Sequence, residues 1–147
     1  MKLEQLFNIN YGQREYHSKE NLDNGETLLI SSQGGDNGCY GFFDIEVKFK
    51  LPFITVPSTG SIGEAFVQLY PCCVDDNCLV LMPKEKITLT SLYFIAAVLR
   101  LSKWRFSYGG RKVTPPRIEE MDIPNMKSPI EYEDVVKELS GFITHTE

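Results

Sequence analysis

The sequence predicts an α+β domain built on a twisted β-sheet, mixed or antiparallel, with a central helix at about 90–102 and a C-terminal helix at about 130–142. Three observations predict it. Several short runs alternate apolar and polar residues with a period of two, as half-buried strands do. Clusters of Gly, Asn and Pro separate these runs and supply turns. The period lengthens only near residue 90 and again near 130, so strands precede helices instead of alternating with them. The 147 residues suffice for one domain whose core needs no staples. A hydrophobic share of 42% with seven Tyr and nine Phe fits a folded chain rich in strands.

Taken in order, residues 3–7 form a short turn or helix leading into a strand at Phe7–Tyr11. Residues 12–26 are polar, contain Asn24-Gly25 and read as a loop. TLLISS at 27–32 is a buried strand. QGGDNG at 33–38 is the strongest turn signal, since Gly-Gly and Asn-Gly reach positive φ cheaply. In 39–50, Phe43, Ile45, Val47 and Phe49 alternate with Asp44, Glu46, Lys48 and Lys50, which predicts one long half-buried strand. Residues 53–56 continue the sheet, and PSTGSIG at 57–63 is a second tight loop. Alternation at 64–70 allows a strand buried on both faces, and Asp75-Asp76-Asn77 turns the chain into a strand at 78–82. Thr90 or Ser91 is placed to cap the central helix, whose apolar stripe is Leu92, Ile95, Ala96, Leu99 and Val98. Ser128-Pro129 opens the last helix, with Glu131, Glu133 and Asp134 in its favourable first turns.

The net charge of −5 is unevenly spread. Residues 119–147 carry eight acidic and two basic side chains, whereas 1–118 come to +1. No acidic residue lies between Glu85 and Glu119, yet seven basic ones do. The stretch 103–118, KWRFSYGGRKVTPPRI, sets Lys103, Arg105, Arg111, Lys112 and Arg117 among Trp104, Phe106 and Tyr108. A Gly-Gly turn inside it can bring cations close to a phosphate backbone; a solvated basic loop is the plainer reading. The opening MKLEQLFNIN has no apolar secretion signal and 92–99 is too short to span a bilayer, so the chain reads as cytoplasmic.

Other candidate chemistry is thinner. Cys39, Cys72, Cys73 and Cys78 lack the C-x2-C spacing of a zinc site, and small buried thiols are the expectation. Adjacent Cys72 and Cys73 would face opposite sides of a strand. A Cys–His nucleophile would need His17 or His145, and is set aside. Glu46-Val47-Lys48 with Asp36 and Asp44 upstream could hold Mg²⁺ in a nuclease, because alternate strand positions set Glu46 beside Lys48; the competing reading is the wet face of a strand. The small hydroxylated loop at 58–63 suits a sugar–phosphate backbone or an ordinary turn. It lacks the Lys-Ser/Thr of a P-loop, and no G-x-G-x-x-G occurs, so no nucleotide cofactor is expected.

Five spaced stretches carry a resemblance: LFNINYG at 6–12; 29–32 with Asp36-Asn37-Gly38 and Tyr40-Gly41; ITVPSTGSIGEAF at 54–66; DDNCLVLMP at 75–83; and the central helix with Tyr108-Gly109-Gly110-Arg111, closed by Ile123-Pro124. In order and spacing they resemble a target recognition domain of the type I restriction–modification DNA specificity subunits, over roughly 3–125. The resemblance implies a target-recognition-domain-like fold at 1–126 and sequence-specific binding of double-stranded DNA without catalysis; the acidic helix or tail at 127–147 departs from the family, which continues there into a coiled-coil segment. It implies that a partner methyltransferase subunit, which would hold S-adenosylmethionine, flips and methylates an adenine, and that a restriction subunit can join. DNA contacts are expected from Lys103, Arg105, Tyr108, Arg111, Lys112 and Arg117, with Ser32, Asn37, Thr59 and Ser61 adding contacts from facing loops. No catalytic, cofactor or metal residue is assigned. Subunits of this family hold two such domains joined by long helical spacers; here there is one, which leaves a half subunit that must form a homodimer, a fragment, or a stand-alone relative. The rival readings are the Mg²⁺-dependent nuclease of Asp36, Glu46 and Lys48, and a protein-interaction module using the acidic helix.

Overall fold

A computed structural model of the chain describes residues 1–103 and 113–124. The expected helix at 130–142 and the boundary at 126–127 lie outside the described residues. Among the described residues seven strands form two sheets. The first runs in the order β1 (Phe7–Tyr11), β7 (Cys78–Pro83), β4 (Phe53–Pro57) and β5 (Phe66–Gln68), with every pair antiparallel. The second sets β3 (Cys39–Phe43) antiparallel to β2 (Asn24–Ile30), and β2 parallel to β6 (Cys72–Val74). Helix α1 (Leu89–Leu101) stands where the lengthened period placed it, and the short α2 (Pro115–Glu119) opens on a proline pair. The expected mixed and antiparallel pairing is thus present, divided between two sheets.

Side-chain alternation stacks these elements into layers. Across the first sheet, Ile9 faces Leu81, Leu81 faces Ile54 and Ile54 faces Val67. This row packs with Leu92, Ile95, Ala96 and Leu99 of α1. The opposite faces of β4 and β7 offer Phe53, Cys78 and Val80 to Leu28 and Ile30 of β2 and to Cys72 and Val74 of β6. Beyond the second sheet, Leu29 and Cys73 pack on Tyr16. The first sheet is therefore covered on both sides, so β4 is buried along its whole length. Adjacent Cys72 and Cys73 face different layers, as expected of neighbours in a strand. Among the described residues no helix is long and apolar enough to cross a membrane.

Several boundaries differ from expectation, and in most cases the partner strand decides. β3 stops at Phe43 instead of running to 50, because Phe43 faces Asn24, the first residue of β2, and the last rung is Asp44 N–H donating to Asp23 O at 2.9 Å. The alternation continues in sequence with nothing left to pair with. Likewise β5 covers only 66–68 of the expected 64–70: Gln68 faces Phe53, where β4 begins, so Leu69 and Tyr70 emerge into solvent. β2 begins at Asn24, inside the expected loop, since Gly25 presses against the backbone of Phe43 and Asp44 where a side chain would overlap. It ends at Ile30, where Ser31 N–H donates to Gly38 O and closes the 31–38 loop. Three-residue β6 is too short to show any period. Helix α1 is capped by Thr88, not Thr90 or Ser91: Thr88 is extended and its Oγ1 accepts the Ser91 N–H at 3.2 Å.

One buried carboxylate joins the sheets. Asp75, fully buried between β6 and β7, is ion-paired with Lys19 from a 3-10 turn at Lys19–Asn21. Its Oδ1 also accepts the Asn77 N–H at 3.0 Å, and its own N–H donates to Ile30 O. Removing one partner of a buried pair strands the other charge. Lys19→Met is therefore expected to cost about 3 kcal/mol in urea unfolding; a loss under 1 kcal/mol, on the scale of an exposed pair, would contradict this role for Asp75.

Burial pushes the Cys72 thiol from an ordinary 9.0 up to about 12 and raises Cys78 as well. A thiol whose pKa is higher folded than unfolded stabilises fully below pH 9, and that stabilisation is lost as pH rises toward 12, because only the unfolded chain releases the proton. Stability should fall over this window by up to about 1.4 kcal/mol per pH unit per thiol, and Cys72→Ala should flatten part of that slope.

Candidate nucleic-acid interface

Two glycine- and hydroxyl-rich loops meet at one end of the first sheet, beyond the C-terminal end of β4. The 31–38 loop turns through three consecutive left-handed residues, Asp36 (φ 51°), Asn37 (φ 55°) and Gly38 (φ 82°), a run that short polar side chains and Gly tolerate. The 57–63 loop turns at Gly60 (φ 67°) and Gly63 (φ 96°). Ser61 N–H donates to Ser32 O at 3.4 Å. A Cβ on Gly34 would stand 2.7 Å from Ser61 Oγ, and one on Gly60 would stand 3.0 Å from Ser32 Oγ. The loops approach this closely only because these glycines lack side chains.

Each loop is tied to the core by its own polar clamp. Asn37 Nδ2 donates to Val67 O at 3.0 Å and to Gln68 Oε1 at 3.3 Å, while buried Gln68 donates back to Asn37 O at 2.9 Å and to Thr55 Oγ1 at 3.0 Å. Asn77, held by Asp75, accepts at its backbone oxygen from Ser58 N–H (2.8 Å) and Ser58 Oγ (2.9 Å). Its Oδ1 accepts from Thr59 Oγ1 at 3.4 Å. Asn37 and Thr59, two of the expected contact residues, thus also shape the loops they stand in.

Where α1 ends, Lys103 reaches the same place. Gly34, Gly60, Ser61, Ile62, Glu64 and Lys103 surround an open hollow of about 440 Å³, and a side chain on Gly63 would overlap that of Lys103. Arg100 stands beside it, its Nε 3.9 Å from Glu64 and its guanidinium 5.2 Å above the Phe66 ring. Two cations against one carboxylate leave the rim positive. Half-buried hydroxyls, glycine-spaced backbone and cations at one opening can receive a sugar–phosphate chain.

The structure therefore brings Ser32 to Ser61 and Ser61 to Lys103, with Asn37 and Thr59 in the same two loops. Arg117 stands elsewhere: α2 packs on β1 and the opening turn, at the far edge of the sheet from β5. Arg105, Tyr108, Arg111 and Lys112 lie outside the described residues. Glu64 carries no local signal of its place at the hollow, whereas the glycines at 34, 60 and 63 belong to the two loops that the sequence marks as tight turns.

The nuclease reading loses its geometry. Residues 44–52 form no strand, so Glu46 and Lys48 are not set side by side on a ladder. Lys48 Nζ instead pairs with Glu15 at 2.8 Å, which lowers the Glu15 pKa chiefly through that hydrogen bond. Asp36 precedes β3 and Glu46 follows its end. The segment holding Glu46 folds back over the second sheet, where Cys73 Sγ donates to Glu46 O at 2.9 Å. Among the described residues no group of three His, Cys, Asp or Glu could hold a metal ion.

The model of the Type I restriction modification DNA specificity domain matches residues 1–132. No curated protein matches the chain. In fold it is similar to the HsdS subunit from Thermoanaerobacter tengcongensis, with 16% identity and a TM-score of 0.69 over 99% of this chain and 37% of that one. It is similar to the type I restriction-modification S subunit from M. genitalium, with 18% identity and a TM-score of 0.63 over 98% of this chain and 42% of that one. A chain from a type I R-M system, solved for its complex assembly and conformational transition, shares 15% identity with a TM-score of 0.71 over 99% and 38%. The chain spans about two fifths of the length of these solved structures.

Gly63→Ala combines a left-handed backbone with overlap on Lys103. It should cost about 1–3 kcal/mol in thermal or urea unfolding. Gly35→Ala, whose Cβ would meet nothing within 4 Å, should be close to neutral.

Proposed function

Because the chain belongs to the Type I restriction modification DNA specificity domain family, we propose that it binds double-stranded DNA sequence-specifically and directs partner subunits to the bound site. The observation that carries this reading is the convergence of Ser61 and Lys103 on one open, positively rimmed hollow, with Ser32 joined to Ser61 from the neighbouring loop. In the proposal, Lys103 and Arg100 neutralise phosphates while the hydroxyls of Ser32 and Ser61 hold the sugar–phosphate chain in register. Asn37 and Thr59 contribute by fixing the two loops. Arg105, Tyr108, Arg111 and Lys112 enter on the ground of sequence alone, with Arg111 or Lys112 suited to guanine in the major groove. Arg117 would touch DNA only if the duplex extended to the β1 edge.

The proposed module performs no chemistry. It positions DNA for a methyltransferase subunit that carries S-adenosylmethionine and for a restriction subunit, with a second copy of the chain supplying a second half-site. Selection from a randomised duplex pool tests the reading. A short motif should be enriched, and Lys103→Ala should weaken binding to all duplexes while reducing the slope of log affinity against log salt by about 1. Arg111→Ala should instead relax preference at a single base pair, by about 1–3 kcal/mol. Failure to retain any duplex at low salt would end the proposal.

A further inference from the structure

At the opposite end of the first sheet from the two loops, a groove of about 710 Å³ opens between the segment leading into β4 and the connection from β7 to α1. Leu51, Leu69, Met82, Ile87 and Leu89 line it, and Leu69 and Leu89 are each 47% exposed. The apolar surface continues up α1, where Tyr93, one turn beyond Leu89, is 50% exposed. Lys50, Lys84 and Lys86 stand on the rim against the single acid Glu85, and none of the three lysines has an ion pair among the described residues. An apolar floor under unpaired cations is unusual on a chain of net charge −5.

We infer that this groove docks a protein partner, namely an amphipathic helix of net negative charge. The floor takes its apolar row and the lysines take its acidic flank, the arrangement by which helices lie in grooves. The chain's own sequence contains a stretch of that composition: Tyr132, Val135, Val136 and Leu139 recur at i, i+3, i+4 and i+7, beside Glu131, Glu133, Asp134 and Glu138. The inference goes beyond the DNA-binding reading. It concerns the other end of β4, some five residues away along the strand, so both surfaces can be occupied at once.

The test uses the full chain and a fluorescent synthetic peptide of residues 128–147, read by anisotropy. The peptide should bind. Reversing the rim in K50E/K84E/K86E should weaken it on the order of tenfold or more, because three modest attractions become three repulsions. Leu89→Asp should weaken it comparably and persist at high salt; this residue opens α1, where an acid suits the helix and folding is not at risk. A peptide with Glu131, Glu133, Asp134 and Glu138 changed to their amides should lose the sensitivity to rim reversal. Retention of duplex DNA should be the same in wild type and rim variant. No peptide binding, or equal binding to all variants, would overturn the inference. So would a rim reversal that weakens duplex retention instead, because the lysines would then belong to a DNA surface.

Discussion

The ion pair of Asp75 with Lys19 is the constraint on which the rest of the structure hangs. Asp75 stands at the corner where the chain leaves the parallel strand of one sheet and enters the central region of the other. A lone carboxylate there would be strongly disfavoured, and the ammonium alone does not satisfy its oxygens. Asn77 completes the set, and because it also receives Ser58 and Thr59, the buried charge governs the shape of an exposed loop. On the other side, Gly12 passes so close to the Asp75 and Val74 carbonyls that no side chain would fit. Lys19 lies beneath the Tyr40 ring, at 5.2 Å, which further shields the pair from water.

Sheet-to-sheet packing explains why this corner is needed. With α1 on one face of the first sheet and the second sheet on the other, β4 and β7 have no wet side to spare for polar residues. Buried Thr55 meets buried Gln68, and Gln68 reaches out to Asn37 of the 31–38 loop. The 31–38 loop is thereby anchored through the interior as the 57–63 loop is through Asn77. Both surface loops answer to buried hydrogen bonds, which sets their backbones before any ligand arrives.

Much of this was legible in the residues. Thr27–Ile30, Phe53–Val56 and Cys78–Met82 read as buried strands from composition, QGGDNG as a turn, and the stripe Leu92, Ile95, Ala96 and Leu99 as one helical face packed on a sheet. What escaped depends on partners distant in sequence. Nothing local in 44–50 reveals that β2 has already run out, and three residues at 72–74 are too few for a period to show. The meeting of Ser32 with Ser61, nearly thirty positions apart, follows from sheet order alone. Lys103 and Arg117, read as one continuous stretch, separate because α2 folds back onto β1 while α1 ends beside the β4–β5 loop.

The two ends of the described chain meet. Ile123 N–H donates to Met1 O at 2.8 Å, Leu3 N–H donates to Met121 O at 3.0 Å, and Lys2 bridges Asp122. Entry and exit therefore share one corner, beside the outermost strand of the first sheet. A pull applied through polypeptide attached at both sides would load this small clasp and leave the sheets unstretched. Such a unit can be spliced into, or rearranged within, a longer polypeptide without asking its interior to change.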